Sequence, residues 1–220
     1  MGTIKKGLLG GVSGKVGNVV GGNWKGIDYL RIMPANVANP KTEKQMNQRI
    51  KFMTVIRFLQ PFTEFVRIGF KAYATKMTAF NAAMSYNFKN AISGTYPDYS
   101  IDYSKVLLSR GSLTSVYNAA CVAELGDTVK LSWDNNSGSG TAQANDKVLA
   151  VIFNPATHEV IYTMDAGQRG DAQAELDVPT SYSGKEVHCF MAFASLDSLI
   201  ANGGKKAISD SCYAGSVSVL

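Results

Sequence analysis

The spacing of apolar and polar positions changes character twice along the chain. From Gly10 to Arg31 the sequence reads GGVSGKVGNVVGGNWKGIDYLR, in which Val12, Val16, Val19, Val20, Trp24, Ile27, Tyr29 and Leu30 alternate with seven glycines. Valine, isoleucine, tryptophan and tyrosine suit a pleated, half-buried surface. The segment therefore predicts a β-arm or hairpin, with Gly21-Gly22-Asn23 as the turn between KVGNVV and WKGIDYLRI. Val16, Val19, Val20, Trp24 and Tyr29 are its candidate contact residues, and residues 7–32 are expected to pair as β-structure with a neighbouring copy or partner, or to cover the chain's own core. An isolated hairpin is marginal in water and glycine weakens it further, so such a segment gains most by joining another sheet.

From Asn39 the period becomes helical. NPKTEKQMNQRIKFMTVIRFLQP offers two starts, Asn39 as N-cap with Pro40 in the first turn, or a capping box at Thr42 and Gln45. Met46, Ile50, Met53 and Ile56 recur at helical spacing, with Phe52, Val55 and Leu59 widening the apolar face. Pro61 ends or kinks this helix. A second helical stretch is predicted from about Thr63 to Tyr73, and a third from about Lys76 to Ala91 with Met77, Phe80, Met84 and Phe88 on one face. SGTYPDYS then breaks the pattern.

Beyond it lie short β-prone runs: KVLLSRG, DTVKLSWD, DKVLAVIFN, HEVIYTM, AELDVP, EVHCFMAFAS and CYAGSVSVL, separated by turn-rich strings such as NNSGSG, GQRGDAQ and ANGGKK. Short strands with regular turns predict an antiparallel sandwich. Trp133 in LSWD would be its buried tryptophan. The expected fold class is α+β: a glycine-rich β-arm over residues 1–38, a helical region over 39–95, and an immunoglobulin-like β-sandwich over 96–220.

Composition refines this. At 220 residues and 45% apolar content the chain is long enough for one large core or two small ones. No apolar run reaches the length of a membrane-spanning helix, about 18 residues. Residues 1–12 lack the apolar core of a secretory signal, so synthesis in the cytoplasm without a classical signal peptide is expected. The final location, virion or extracellular particle among others, is left open. The net charge of +5 conceals +11 over residues 1–90 and −6 over residues 91–220. The basic half could meet nucleic acid or the acidic half of another copy. Its candidate surface residues are Lys15, Lys25, Arg31, Lys41, Lys44, Arg49, Lys51 and Arg57.

Catalytic patterns fail on inspection. In GLLGGVSGKV a phosphate loop would require glycine where Leu9 stands and Ser or Thr where Val16 stands. His158 falls in a turn, and His188 precedes Cys189 in a strand, which turns their side chains to opposite faces. Cys121, Cys189 and Cys212 are odd in number and widely spaced, and read as buried thiols in strands rather than a disulfide framework or metal site. The spaced carboxylates of DAGQRGDAQAELD miss the calcium-loop pattern. Tyr96, Tyr99 and Tyr103 at the domain junction suit packing of one domain on another, or stacking on bases or sugars. No cofactor and no metal are expected.

The run GLLGGVSGKVGNVVGGNWKGIDYLR, then NPKTEKQMNQRIKF and the late SDSCYAG, resembles an uncharacterised family of Bacteroidota proteins known only as a domain of unknown function. Its most distinctive positions are Trp24, Lys25, Gly26, Tyr29 and Arg31, then Pro40, Thr42, Gln45, Arg49 and Phe52. The order of arm, basic helices and sandwich is also similar in outline to phage virion and tail structural proteins, an architectural analogy. The expected function is that of a non-enzymatic structural protein that self-associates, as a homo-oligomer or in a larger particle with other structural proteins. A nucleic-acid-binding protein using residues 1–90 is the alternative, with a carbohydrate- or surface-binding sandwich third and an enzyme last.

Overall fold

Strand-prone residues and helical spacing build two separate contact units in the computed structural model, Met1–Thr42 and Glu43–Leu220. Residues 2–4, 10–24, 26–36, 39, 41–196 and 207–220 are described.

The first unit is a small antiparallel sheet of β1 (Thr3–Ile4), β2 (Val12–Val16), β3 (Val19–Trp24) and β4 (Ile27–Ile32), hydrogen-bonded in that order. Val16 pairs with Val19, which places the first turn at Gly17-Asn18, and Trp24 pairs with Ile27, with Gly26 in the turn between them. Gly21-Gly22-Asn23, predicted as the turn, instead lies within β3. The backbone geometry explains the difference. Gly17 and Gly26 take φ of +58° and +87°, as tight hairpin turns require. Gly21 serves a close approach: a Cβ on it would stand 1.9 Å from the Val12 carbonyl oxygen, so β2 crosses β3 only over glycine.

In the second unit, α1 (Glu43–Leu59) starts directly after Thr42, the later of the two predicted starts, and Pro40 lies outside the described residues. Pro61 sits in a 3-10 turn at Gln60–Phe62 that leads into α2 (Thr63–Gly69). Thr78 caps α3 (Ala79–Asn90) by accepting the Asn81 amide. The buried face of α1 differs from the predicted one. Val55, Phe58 and Leu59 are buried, Met46, Ile50 and Ile56 only partly so, and Phe52 and Met53 are exposed. Full burial is reached only in the last turns of the helix, where the sheet supplies a partner, while its earlier turns pack partly against β6 through Asn47 and Lys51.

β5 (Ile92–Thr95) and β6 (Asp98–Ile101) form a hairpin across the string read as a boundary. Seven further strands form the sandwich: β7 (Ala120–Glu124), β8 (Thr128–Ser132), β9 (Lys147–Asn154), β10 (Glu159–Thr163), β11 (Gln173–Asp177), β12 (Glu186–Ala194) and β13 (Cys212–Ser218). One sheet has the order β10-β9-β12-β13 and faces a second of order β11-β8-β7, with antiparallel pairing throughout. β7 was not among the predicted strands. KVLLSRG, which was, runs as non-strand backbone with Val106, Leu107 and Leu108 buried.

The larger sheet is buried on both faces. Leu149, Val151, Phe153, Phe190 and Ala192 pack against Phe58, Leu59, Phe62, Phe65 and Val66 of the helical layer. Val148, Ala150, Ile152, Met191 and Phe193 pack against Val129, Leu131 and Leu176 of the smaller sheet. A strand covered on both sides needs apolar residues at successive positions, which is why KVLAVIFN and EVHCFMAFA show no alternation. Helices and sandwich therefore share a core. The predicted boundaries at 38/39 and 95/96 are corrected to one division at Thr42/Glu43.

The helical layer is locked to the loop after β6 by one buried side chain. Asn87 donates through Nδ2 to the carbonyls of Leu107 (2.8 Å) and Ala83 (3.0 Å), and its Oδ1 accepts the Leu107 amide at 3.0 Å. Ser211 and Ser209 complete the lock. The Ser211 hydroxyl accepts the Leu108 amide, and the Ser109 hydroxyl donates to the Ser209 carbonyl.

Candidate functional site

In the arm, the sequence-predicted contact residues divide by exposure. Val19 and Val20 are half-buried, whereas Val16, Trp24 (63% accessible) and Tyr29 are exposed. Ile27 (65%), Leu30 (63%) and Ile32 (79%) join them. Residues 27 and 29 face one side of β4 and residues 30 and 32 the other. Both faces of this edge strand thus present large apolar side chains to solvent. Tyr29 lies over its cross-strand partner Gly22, whose absent side chain leaves the ring room. Asn23 orders the second turn, donating to Asp28 Oδ1 at 2.7 Å and accepting the Gly26 amide at 3.0 Å.

The basic residues fall on both contact units. Lys15, Arg31 and Lys41 belong to the first unit and are exposed; Lys25 lies outside the described residues. On α1, Lys44 and Lys51 share a side, while at about 100° per residue Arg49 and Arg57 fall roughly 140° and 220° away from Lys44. Lys51 Nζ stands 5.0 Å from the centre of the Tyr99 ring. Arg57, with His158, lines two adjoining concavities of about 370 and 470 Å³. Tyr99 and Tyr103 form part of the smaller one, yet both are engaged in packing. Tyr99 donates to Asn47 at 2.7 Å, and Tyr103 stacks on His188 with 3.8 Å between ring centres. A third concavity of about 340 Å³ runs between α1 and α3 and is lined by Phe52, Ile56, Phe80, Met84 and Phe88.

Among the described titratable groups, His188 and Tyr213 form one close pair. His188 Nδ1 meets the Tyr213 hydroxyl at 2.9 Å, and burial holds the imidazole below its ordinary value while it raises the Tyr213 phenol. Both groups are therefore neutral at pH 7, with the pair packed beside the Tyr103 ring. His188 faces the helical layer while Cys189 lies in the core between the sheets, as alternation along a strand requires. No cluster of three metal-ligating side chains occurs among the described residues.

Sequence reasoning missed the most charged interior feature. Arg169, in a string read as solvated turn, is wholly buried. Its Nε donates to Asp146 Oδ2 at 3.0 Å, Nη1 to Asn136 Oδ1 at 2.5 Å and Nη2 to the Thr114 carbonyl at 2.9 Å. Its guanidinium lies 3.7 Å from the centre of the Phe193 ring. Burial lowers the arginine's proton affinity and Asp146 partly restores it. No sequence pattern marks this site; only the fold brings residues 114, 136, 146 and 169 together.

Together these elements define an α+β protein built on an immunoglobulin-like sandwich, with a helical layer on its larger sheet and a β-arm as a separate contact unit. The chain belongs to the family of unknown function DUF6266, whose profile matches residues 11–213. No curated protein matches. Among solved structures the chain is similar to the fn3 domain of human collagen alpha-1(XX) chain, at 12% identity, over 50% of this chain and 91% of that domain, with a TM-score of 0.33. The sandwich assignment stands on the strand order and pairing themselves. No helix among the described residues is long and apolar enough to cross a membrane.

Proposed function

We propose that this protein is a non-enzymatic structural subunit that joins copies of itself, or other structural proteins, through its N-terminal β-arm. The observation that carries this reading is β4, an edge strand with Ile27 and Tyr29 exposed on one face and Leu30 and Ile32 on the other. A small sheet without a buried face is marginal alone, and contiguous exposed apolar side chains mark interaction surfaces. Pairing β4 with a strand of another molecule covers both its outer backbone edge, unpaired among the described strands, and its apolar rows. The opposite charges of residues 1–90 and 91–220 favour contacts between unlike halves of neighbouring copies. Such contacts weaken as salt shortens the screening length to about 10 Å at 0.1 M and below.

The nucleic-acid reading has the exposure of Lys15, Arg31, Lys41, Lys44, Arg49 and Arg57 in its favour. The spread of Lys44, Arg49 and Arg57 over several sides of α1 gives it less support. One experiment separates the two: light-scattering mass and electron microscopy of the full chain beside a variant lacking residues 1–32. Ordered assemblies that vanish in a still-folded truncated protein are expected. A full-length monomer that retards DNA, with binding falling steeply in salt, supports the second reading instead. Assembly unchanged by the deletion removes the arm from the mechanism.

A further inference from the structure

Cys121 and Cys189 come from opposite sheets and meet in the core between them. Cys189 on β12 is wholly buried on the face turned toward the smaller sheet, among Ile152, Met191 and Phe193. Its cross-strand neighbour on β13 is Gly215, at φ +118°. Cys121 on β7 is partly buried and packs into the same core. A Cβ placed on Gly215 would stand 3.4 Å from Cys121 Sγ. The absent side chain at residue 215 thus leaves the space through which the Cys121 sulfur reaches the position beside Cys189. The two thiols interact: the Cys189 thiol favours the Cys121 thiolate and lowers its proton affinity, while the contact and burial together push Cys189 well up. Cys212, also on β13, is engaged elsewhere, its thiol directed to the Tyr213 carbonyl at 3.6 Å.

The geometry points to a reversible disulfide between Cys121 and Cys189 that ties the two sheets of the sandwich together. This goes beyond the assembly reading and does not depend on it. The oxidant class is a low-molecular-weight disulfide, and the order of events follows from access. The partly exposed Cys121 thiolate attacks one sulfur of glutathione disulfide, forms a mixed disulfide and releases one glutathione thiolate, which takes up a proton. Cys189, reached from inside the core, then loses its proton, and its thiolate attacks the Cys121 sulfur and expels the second glutathione. Two protein thiols are oxidised and one glutathione disulfide is reduced to two thiols. The second step is the slower, because the buried Cys189 gives up its proton reluctantly. In reducing surroundings the pair stays open, and in oxidising ones it closes.

The test is incubation of the native, full-length protein with glutathione disulfide, followed by intact-mass measurement, thiol titration after unfolding, and peptide mapping. The expected product has lost two hydrogen atoms, retains one of the three thiols, and yields a linked pair of peptides containing Cys121 and Cys189. Cys189→Ser is expected to stop at the mixed disulfide on Cys121, and Cys212→Ser to close as the natural chain does. Far-ultraviolet circular dichroism checks the fold of each variant. Cys189→Ala, which adds no polar group to the core, replaces Cys189→Ser if that variant unfolds. Three free thiols after incubation, a lasting glutathione adduct on Cys121 of the natural chain, or a bond to Cys212 overturns the proposal.

Discussion

The indole Nε1 of Trp133 donates to the main-chain carbonyl of Arg169 at 2.9 Å, joining the end of β8 to the turn that carries the buried guanidinium. Both side chains pack on Phe193, Trp133 edge-on at 5.9 Å between ring centres and Arg169 face-on at 3.7 Å. The tryptophan expected to be buried in the sandwich thus forms one wall of a polar core with three donors and their acceptors.

Removing one partner of that core leaves the others dry. Arg169→Met strands the Asp146 carboxylate, the Asn136 amide oxygen and the Thr114 carbonyl, and the expected loss is about 3–5 kcal/mol in urea unfolding. The double variant Arg169→Met with Asp146→Leu recovers part of that loss, since a buried pair replaced as a unit leaves no bare charge. A single variant within 1 kcal/mol of the natural protein, roughly the scale of an exposed pair, would show that water reaches the site.

Asn87→Ala removes the only side chain that satisfies both the amide and the carbonyl of Leu107 among the described contacts. Each buried backbone group left unpaired costs about 1–3 kcal/mol. The loop at residues 106–109 is expected to gain amide hydrogen exchange ahead of the strands, and a variant whose exchange rises uniformly would contradict a local lock.

Gly21→Val is expected to disable the arm from within its own sheet. The added Cβ meets the Val12 carbonyl oxygen at 1.9 Å, so β2 loses its place on β3. The expected result is lost assembly with an unchanged unfolding midpoint for residues 43–220. Assembly at natural strength in a folded Gly21→Val protein would count against the arm.

His188 gives the fold a pH dependence of known sign. Burial holds its value below the ordinary 6.5, with Glu186 pulling weakly upward, and the groups facing it are the Tyr103 ring and the Tyr213 hydroxyl. Above about pH 6.5 the imidazole is neutral in folded and unfolded chains alike. Below it the unfolded chain takes up the proton first, so stability falls as pH falls toward the lower folded value. The natural protein is expected to weaken relative to His188→Gln on acidification. A stability difference that stays constant from about pH 8 to pH 5 would refute this.

The sandwich was legible because β9 and β12 announce themselves as long apolar runs, and because turns punctuate them. What the runs did not disclose was a second covered face. KVLAVIFN is apolar at both parities, and that pattern is shared by any strand between two layers, so the helical layer was taken for a separate domain. The α1 face differs from the predicted one because spacing alone weights Met46 and Met53 like Val55 and Leu59, while only the last turns are fully buried. The arm turns were misplaced because glycine marks both turns and close approaches. The pair Cys121–Cys189 and the cluster around Arg169 were not legible, since each joins residues far apart in sequence through the register of two sheets.

The lock between the loop at residues 106–109 and Ser209–Ser211 also fixes when the protein is finished. On the ribosome β1–β4 emerge before β12 and β13, which both cores still await. Domains close as units only once their chain is out. The small sheet is therefore complete in the growing chain while the body formed by residues 43–220 still lacks the strands that close it.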